Sequence, residues 1–500
     1  MNKGLFKNSN INYSLILLII SMLSILGLYI TDKSNIYNYI FAVVFLIVIY
    51  IFFNESLKKM LYYSTLLFAI MGETLGVHLQ KYLGIDERIN LYYIFLLIYM
   101  IKFIIDLFKN SKTESENFKF DYINILFIVF GIYTFGSFIL AGDKKVAIIK
   151  LLYYAVMFSL VIMIIRENKT KKELIRTLEF LGVLSIGILL LGLFKIISGI
   201  QIEPNSVYLN TFKISMAEMW RPYNRIPTLF FYNPNNFSVV AVLILMSFSI
   251  LFVTKNRYNK IGIFFVLLLA EVNIIFARSR TAWIASIVVL IFSAIVLLIK
   301  KRFINATLLI IPIILFFLIF RGLEYMKSMD FLFEKMGEIH KVVDDDGNVV
   351  EENNIELGSN GSINVRATLY TDILNSFFKD KNILGLGPGN INIYIKELDN
   401  THGRYDPHCW WLEILGDFGV VGFLSFTLGY FLMALRFFLR FLSQKSMQDI
   451  SLFGLTMLAA TFLMVFAPSS VFRFVPFWVT IAITLSISNI IAVDNESKIK

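Results

Sequence analysis

One cysteine, nine prolines and charge on only 16% of 500 residues set the first limits on this chain. A single thiol, Cys409, forms no intrachain disulfide and supplies no cysteine-based metal site. Its place beside His408 invites a nucleophile reading, but a lone cysteine more often serves as a small buried apolar residue. The chain has four histidines, and His340, His402 and His408 share one polar stretch without helical ligand spacing, so no metal site is read. Sparse charge excludes an ordinary soluble domain. The net charge of +10 does not mark a nucleic-acid binder, because the basic residues sit in short loops between apolar runs. There they read as topology signals and lipid-headgroup contacts. No small-residue cleavage pattern follows the first apolar run, Ser14–Ile30, which is read as a retained span. No inverted internal repeat is visible.

What is present is hydrophobic: 57% of residues, with a mean hydropathy of +0.71. At roughly 17–25 apolar residues per span, fourteen candidates lie near 14–31, 37–53, 60–78, 90–107, 121–140, 146–165, 177–199, 236–254, 261–277, 281–299, 303–320, 409–435, 449–467 and 473–492. The expected fold is an all-α integral membrane protein of about 12–14 transmembrane helices with one long extracytoplasmic insert. Its expected parts are an N-terminal bundle (1–199), a bundle with arginine-containing outward loops (200–320), the insert (321–407) and C-terminal helices (408–500). With the N-terminus inside, the inward segments carry 23 basic residues and the short outward loops 8. Both termini are then cytoplasmic, and the 200–235 loop and the insert face outward.

The insert holds 15 acidic and 9 basic residues. Gly322–His340 reads as a helix continuing out of the membrane, and Asp344–Gly361 as a turn-laden acidic excursion. Ile363–Phe378 has helical spacing through Val365, Leu369, Ile373 and Phe377. Gly385-Leu-Gly-Pro-Gly389 reads as a tight turn; no Lys-Ser/Thr follows it, so it is not a nucleotide loop.

Three constellations carry chemistry. Trp220-Arg221-Pro-Tyr-Asn-Arg225, followed by Asn233-Pro-Asn235, is either an anion clamp or an interfacial arginine–aromatic belt. Arg278-Ser-Arg280-Thr is a short outward turn whose arginines either snorkel or hold an anion at the next helix N-terminus. His408 stands between Arg404 and Asp406 on one side and Glu413 and Asp417 on the other, and imidazole is suited to proton transfer near neutral pH. Glu413 lies five residues on, about 140° around a helix, and need not face the same site. Gly416, Gly419 and Gly422 recur every three residues, a spacing that favours close helix packing.

From residue 200 to 430 these motifs resemble the O-antigen ligase/polymerase superfamily. The likeness rests on the loop ending Asn233-Pro-Asn235, the Ser279-Arg280-Thr-Ala turn, Arg366 within the long insert, Gly385–Gly389, and His408-x-x-x-Leu-Glu413-x-x-Gly416-x-x-Gly419-x-x-Gly422. Arg221 and Arg225 both fit the family's loop arginine. The resemblance implies a membrane glycosyltransferase of GT-C type in a bacterial cytoplasmic membrane. Such an enzyme moves a glycan from an undecaprenyl-pyrophosphate-linked donor to a hydroxyl of an acceptor glycan or lipid on the outer face, without a cofactor. Arg225, Arg280 and Arg221 would bind the pyrophosphate, and His408 would orient or deprotonate the acceptor hydroxyl or assist the leaving group. Arg278, Arg366, Arg404, Glu413 and Asn235 would support them. Its Ile-, Lys- and Asn-rich composition tilts the expectation toward a polymerase. The alternative class is a lipid-linked oligosaccharide flippase or other polytopic transporter, for which mid-span charges such as Glu73, Lys150, Lys195 and Glu271 are the candidates, although they form no matched pair in two halves.

Overall fold

The computed structural model describes residues 57–71, 76–78, 88–110, 121–199, 225–231, 233–253, 260–299, 301–325, 340–343, 349–352, 357–359, 362–468 and 470–499. The expected spans at 14–31 and 37–53, the greater part of the Gly322–His340 segment, and Arg221 lie outside the described residues. The protein is an all-α membrane protein. In chain order its helices are α1 (Leu57–Met71), α2 (Leu91–Asn110), α3 (Tyr122–Gly136, with a 3-10 extension Ser137–Leu140), α4 (Lys144–Glu167) and α5 (Lys171–Ser198). There follow α6 (Pro234–Val253), α7 (Lys260–Phe276), α8 (Arg280–Ile299), α9 (Phe303–Tyr325), α10 (Ser362–Phe378), α11 (Asn390–Leu398), α12 (Trp410–Ser443), α13 (Gln448–Met464) and α14 (Val475–Ile499). Seven of the described helices, α3, α4, α5, α6, α8, α12 and α14, are long and apolar enough to cross a membrane, and shorter apolar stretches lie at Phe303–Ile319 and Gln448–Met464.

Two expectations need correcting. The span placed at 60–78 stops as a helix at Met71, and Gly76–His78 instead forms a short strand, β1, antiparallel to β2 (Arg88–Asn90). Within the acidic excursion Val349–Glu352 forms a strand, β4, antiparallel to β3 (His340–Val343), which immediately precedes the excursion. Runs of β-branched valine there favour pairing over open turns.

Helix starts follow local chemistry. Asp143 accepts the amides of Lys145 (2.9 Å) and Val146 (3.0 Å), and Thr170 and Glu173 form a capping box. Asn233 accepts the Asn235 amide at 2.8 Å, with Pro234 as the first helical residue of α6. The Asn-Pro-Asn motif is thus a helix cap in this fold.

α12 packs along α3 and against α13 and carries the core. Trp410, Phe426, Phe477 and Trp478 meet at ring-centroid separations of 5.3–6.4 Å, largely edge to face. At the far end of α12 Arg436 grips Asp121 bidentately and also reaches Ser488. A smaller core, Val365, Leu369 and Ile373 of α10 with Ile391 and Ile395 of α11, sits beside the main one. The spacing read from the sequence is therefore the packing face of α10.

Candidate functional site

The turn between α7 and α8 presents the first arginines. Its chain bends through Arg278, which holds a left-handed φ of 56°, and Ser279 occupies the cap position, its carbonyl accepting the Trp283 amide at 3.0 Å. Arg280 is the first residue of α8. Burial weakens the Arg278 guanidinium's hold on its proton, yet an arginine stays charged.

α10 brings the second group. Arg366 is partly buried, and its proton affinity is lowered first by burial and then by the charges of Arg280 and Arg404; Tyr370 acts in the opposite sense. One turn on, the Tyr370 hydroxyl donates to the His408 carbonyl at 3.4 Å. Tyr370 is missing from the sequence reading; its i+4 spacing from Arg366 is the signal that was there. Burial raises its phenol to about 12.

His408 lies where the loop enters α12, with φ 52°. Burial, then the charges of Arg366 and Arg404, lower its imidazole to about 4; the Pro468 backbone works against them. Proline has no N–H, so that interaction is a ring N–H donating toward the Pro468 carbonyl. Nδ1 is buried without a hydrogen-bond partner. The ring is therefore neutral at physiological pH and keeps a lone pair to offer. Arg278 and His408 are two of seven described non-glycine residues with left-handed backbone; the others are Leu229, Lys301, Lys381, Asp399 and His402.

Arg280, Arg366, Arg404 and His408 thus come together electrostatically. Glu413 does not join them. It is buried and turned inward, 2.9 Å from the Lys150 ammonium of α4, and both its oxygens accept from the Ser470 hydroxyl (2.7 and 3.0 Å). Asp417 lies 3.2 Å from the same lysine. Lys150 is consequently the partner of two carboxylates and not a free mid-span charge. Asn235 serves the first turn of α6, its carbonyl accepting the Ser238 hydroxyl at 2.7 Å. Arg225 is half-buried in the segment that leads into α6. Cys409 is buried and its thiol is pushed up to about 11, which leaves no thiolate for nucleophilic attack.

The glycine triplet also does something other than pack two straight helices. α12 is broken at Gly419 (φ 56°, ψ −157°), and the glycine turn lodges in the break. Leu386 N donates to the Gly416 carbonyl, Gly387 N to the Asp417 carbonyl and Val420 N to the Ile383 carbonyl, each at 2.9 Å. Gly385, Gly387 and Gly389 all have positive φ, and a side chain on Gly385 would meet the Asp417 carbonyl at 2.5 Å. This turn is a backbone clasp between insert and helix.

Residues 263–427 match the family model for O-antigen ligase. This region is an O-antigen ligase domain, of the O-antigen ligase/polymerase superfamily. The match contains Arg278, Arg280, Arg366, the glycine turn, Arg404 and His408, and it begins after Arg225 and Asn235. No curated protein matches the chain. The match spans about a third of the chain and, with the apolar helices, supports a multi-pass membrane enzyme of the O-antigen ligase/polymerase kind that processes glycans.

Proposed function

We propose that this protein transfers glycans from an undecaprenyl-pyrophosphate-linked donor to an acceptor hydroxyl at the outer face of a bacterial cytoplasmic membrane, extending a chain as a polymerase. The observation that carries the reading is a neutral His408 beside the charges of Arg366 and Arg404, with Arg280 acting on Arg366 from the neighbouring turn. In the reaction the bond from the anomeric carbon to the pyrophosphate oxygen breaks and a bond to the acceptor oxygen forms. The leaving diphosphate gains negative charge, which arginines already in place stabilise without reorganising. The acceptor proton passes to the imidazole of His408.

An imidazole near 4 is a weak base in the empty site. Two of the causes, Arg366 and Arg404, are cations that a bound pyrophosphate would neutralise. Donor binding therefore raises the proton affinity of His408 at the moment a base is needed. Arg225 is proposed as a further pyrophosphate ligand from the loop before α6, with Arg221 as its alternative and Arg278 in support. The proposed topology keeps both termini cytoplasmic and residues 321–407 outside.

Incubating the purified protein with a defined undecaprenyl-pyrophosphate glycan tests the reading. Lipid-linked products lengthened by whole repeat units are expected. Transfer only to an added lipid core would identify a ligase, and an unconsumed donor would overturn the proposal.

A further inference from the structure

Phe378–Leu384, which joins α10 to the glycine turn, carries three large apolar side chains open to the surroundings. Phe378 is 70% exposed, Ile383 50% and Leu384 52%, with Lys379, Asp380 and Lys381 exposed between them and the Asp380 carboxylate accepting from the Tyr394 hydroxyl. In an insert surrounded by water such a cluster has no purpose, so its height relative to the spans decides what it meets.

Backbone contacts fix that height. The Tyr133 hydroxyl donates to the Leu384 carbonyl at 2.8 Å, and the Val420 amide to the Ile383 carbonyl at 2.9 Å. Tyr133 precedes the end of the span Tyr122–Leu140 by seven residues, which at 1.5 Å per residue is about 10 Å below the helix end. The neighbouring side chains of α3 face outward: Ile132 is 69% and Ile139 82% exposed, as expected for a lipid-facing surface. Irregular backbone survives at this depth only where polar groups are paired: Val420 of α12 pairs the Ile383 carbonyl, Tyr133 of α3 the Leu384 carbonyl, and the Ile383 and Gly385 amides close local turns on Lys381 and Asn382. At the span's end the Lys144 ammonium donates to the Phe138 and Ile139 carbonyls at 2.8 Å each, marking the polar boundary.

We infer that this segment is a membrane anchor: Ile383 and Leu384 continue the lipid-facing surface of α3 into the acyl chains, and Lys379 and Lys381 sit at the phosphate headgroups. The anchor fixes the height of α10, and with it Arg366 and Tyr370, against the bilayer surface. The inference stands whether or not the transfer reaction does.

The test uses the full-length protein with Cys409→Ala and a single new thiol, Ile383→Cys, carrying a fluorophore, in phosphatidylcholine–phosphatidylglycerol vesicles. Lipids brominated on their acyl chains should quench the label several-fold more strongly than they quench the same label at Lys396→Cys on α11. Aqueous iodide should show the opposite order. If Ile383→Cys is not recovered folded, Leu384→Cys replaces it with the same expectation. Iodide-dominated quenching, or equal quenching at loop and α11 positions, would overturn the anchor.

Discussion

The carboxylate of Asp417 caps a helix that is not its own: it accepts the Gly389 amide at 2.8 Å and the Ile391 amide at 3.1 Å, at the N-terminus of α11. An anion at a helix N-terminus is favourable, and this one is also 3.2 Å from Lys150. One side chain therefore joins α12, the glycine turn, α11 and α4. The arginine–histidine group stands on elements tied together in this way.

Lys150→Met should destabilise the fold strongly, because it leaves Glu413 and Asp417 buried together without a cation. Removing one partner of such a group costs on the order of 3–5 kcal/mol. A thermal unfolding scan in detergent should show a lowered midpoint. The triple variant Lys150→Met, Glu413→Gln, Asp417→Asn should recover part of the loss. No change in the single variant would contradict the buried-cluster reading.

Glycine substitutions should separate by position. At Gly419 an alanine Cβ would collide with the Ile383 carbonyl and the Leu384 backbone, so Gly419→Ala should prevent recovery of folded protein. At Gly403 nothing lies within 4 Å, and only the positive φ opposes a side chain, a cost of about 1 kcal/mol. Yields of monodisperse protein measured side by side provide the check.

Arg366→Gln should lower turnover by at least about 100-fold, the range found when one donor to a developing anion is removed. It should also remove a cation that depresses His408, so the acid limb of the pH–rate profile should move to higher pH. A purely structural role for Arg366 would reduce the amount of folded enzyme and leave the limb in place.

His408 also links stability to pH. Its imidazole falls from 6.5 to about 4 on folding, so as pH drops the unfolded chain binds the proton first. The contribution, roughly 3 kcal/mol, is present above pH 6.5, fades as pH falls toward 4 and is gone below that. His408→Gln should flatten the loss of stability across this window in a pH-resolved unfolding series.

How much of this was legible in the sequence follows the range of the signal. The period of Val365, Leu369 and Ile373 gave α10 to within a residue, because helical periodicity is local. The Asn-Pro-Asn and Gly385–Gly389 signals located a helix start and a turn for the same reason. What periodicity does not carry is partner choice across distant elements. Glu413 was left open by its helical angle, and only the approach of α4, 263 residues away in sequence, turns it toward Lys150. The regular spacing of Gly416, Gly419 and Gly422 resembled helix-packing glycines, whereas the break at Gly419 depends on a loop arriving from the insert. Tyr370 went unnoticed because a phenol on an amphipathic helix has no distinctive pattern until its hydroxyl meets the His408 main chain.

The most direct test of the central claim compares wild type with His408→Gln on one defined undecaprenyl-pyrophosphate glycan, measuring donor binding and product formation in the same preparation. The account predicts that the variant binds the donor, through arginines that remain, and forms no measurable product while wild type elongates it. Turnover by His408→Gln at the wild-type rate would contradict it.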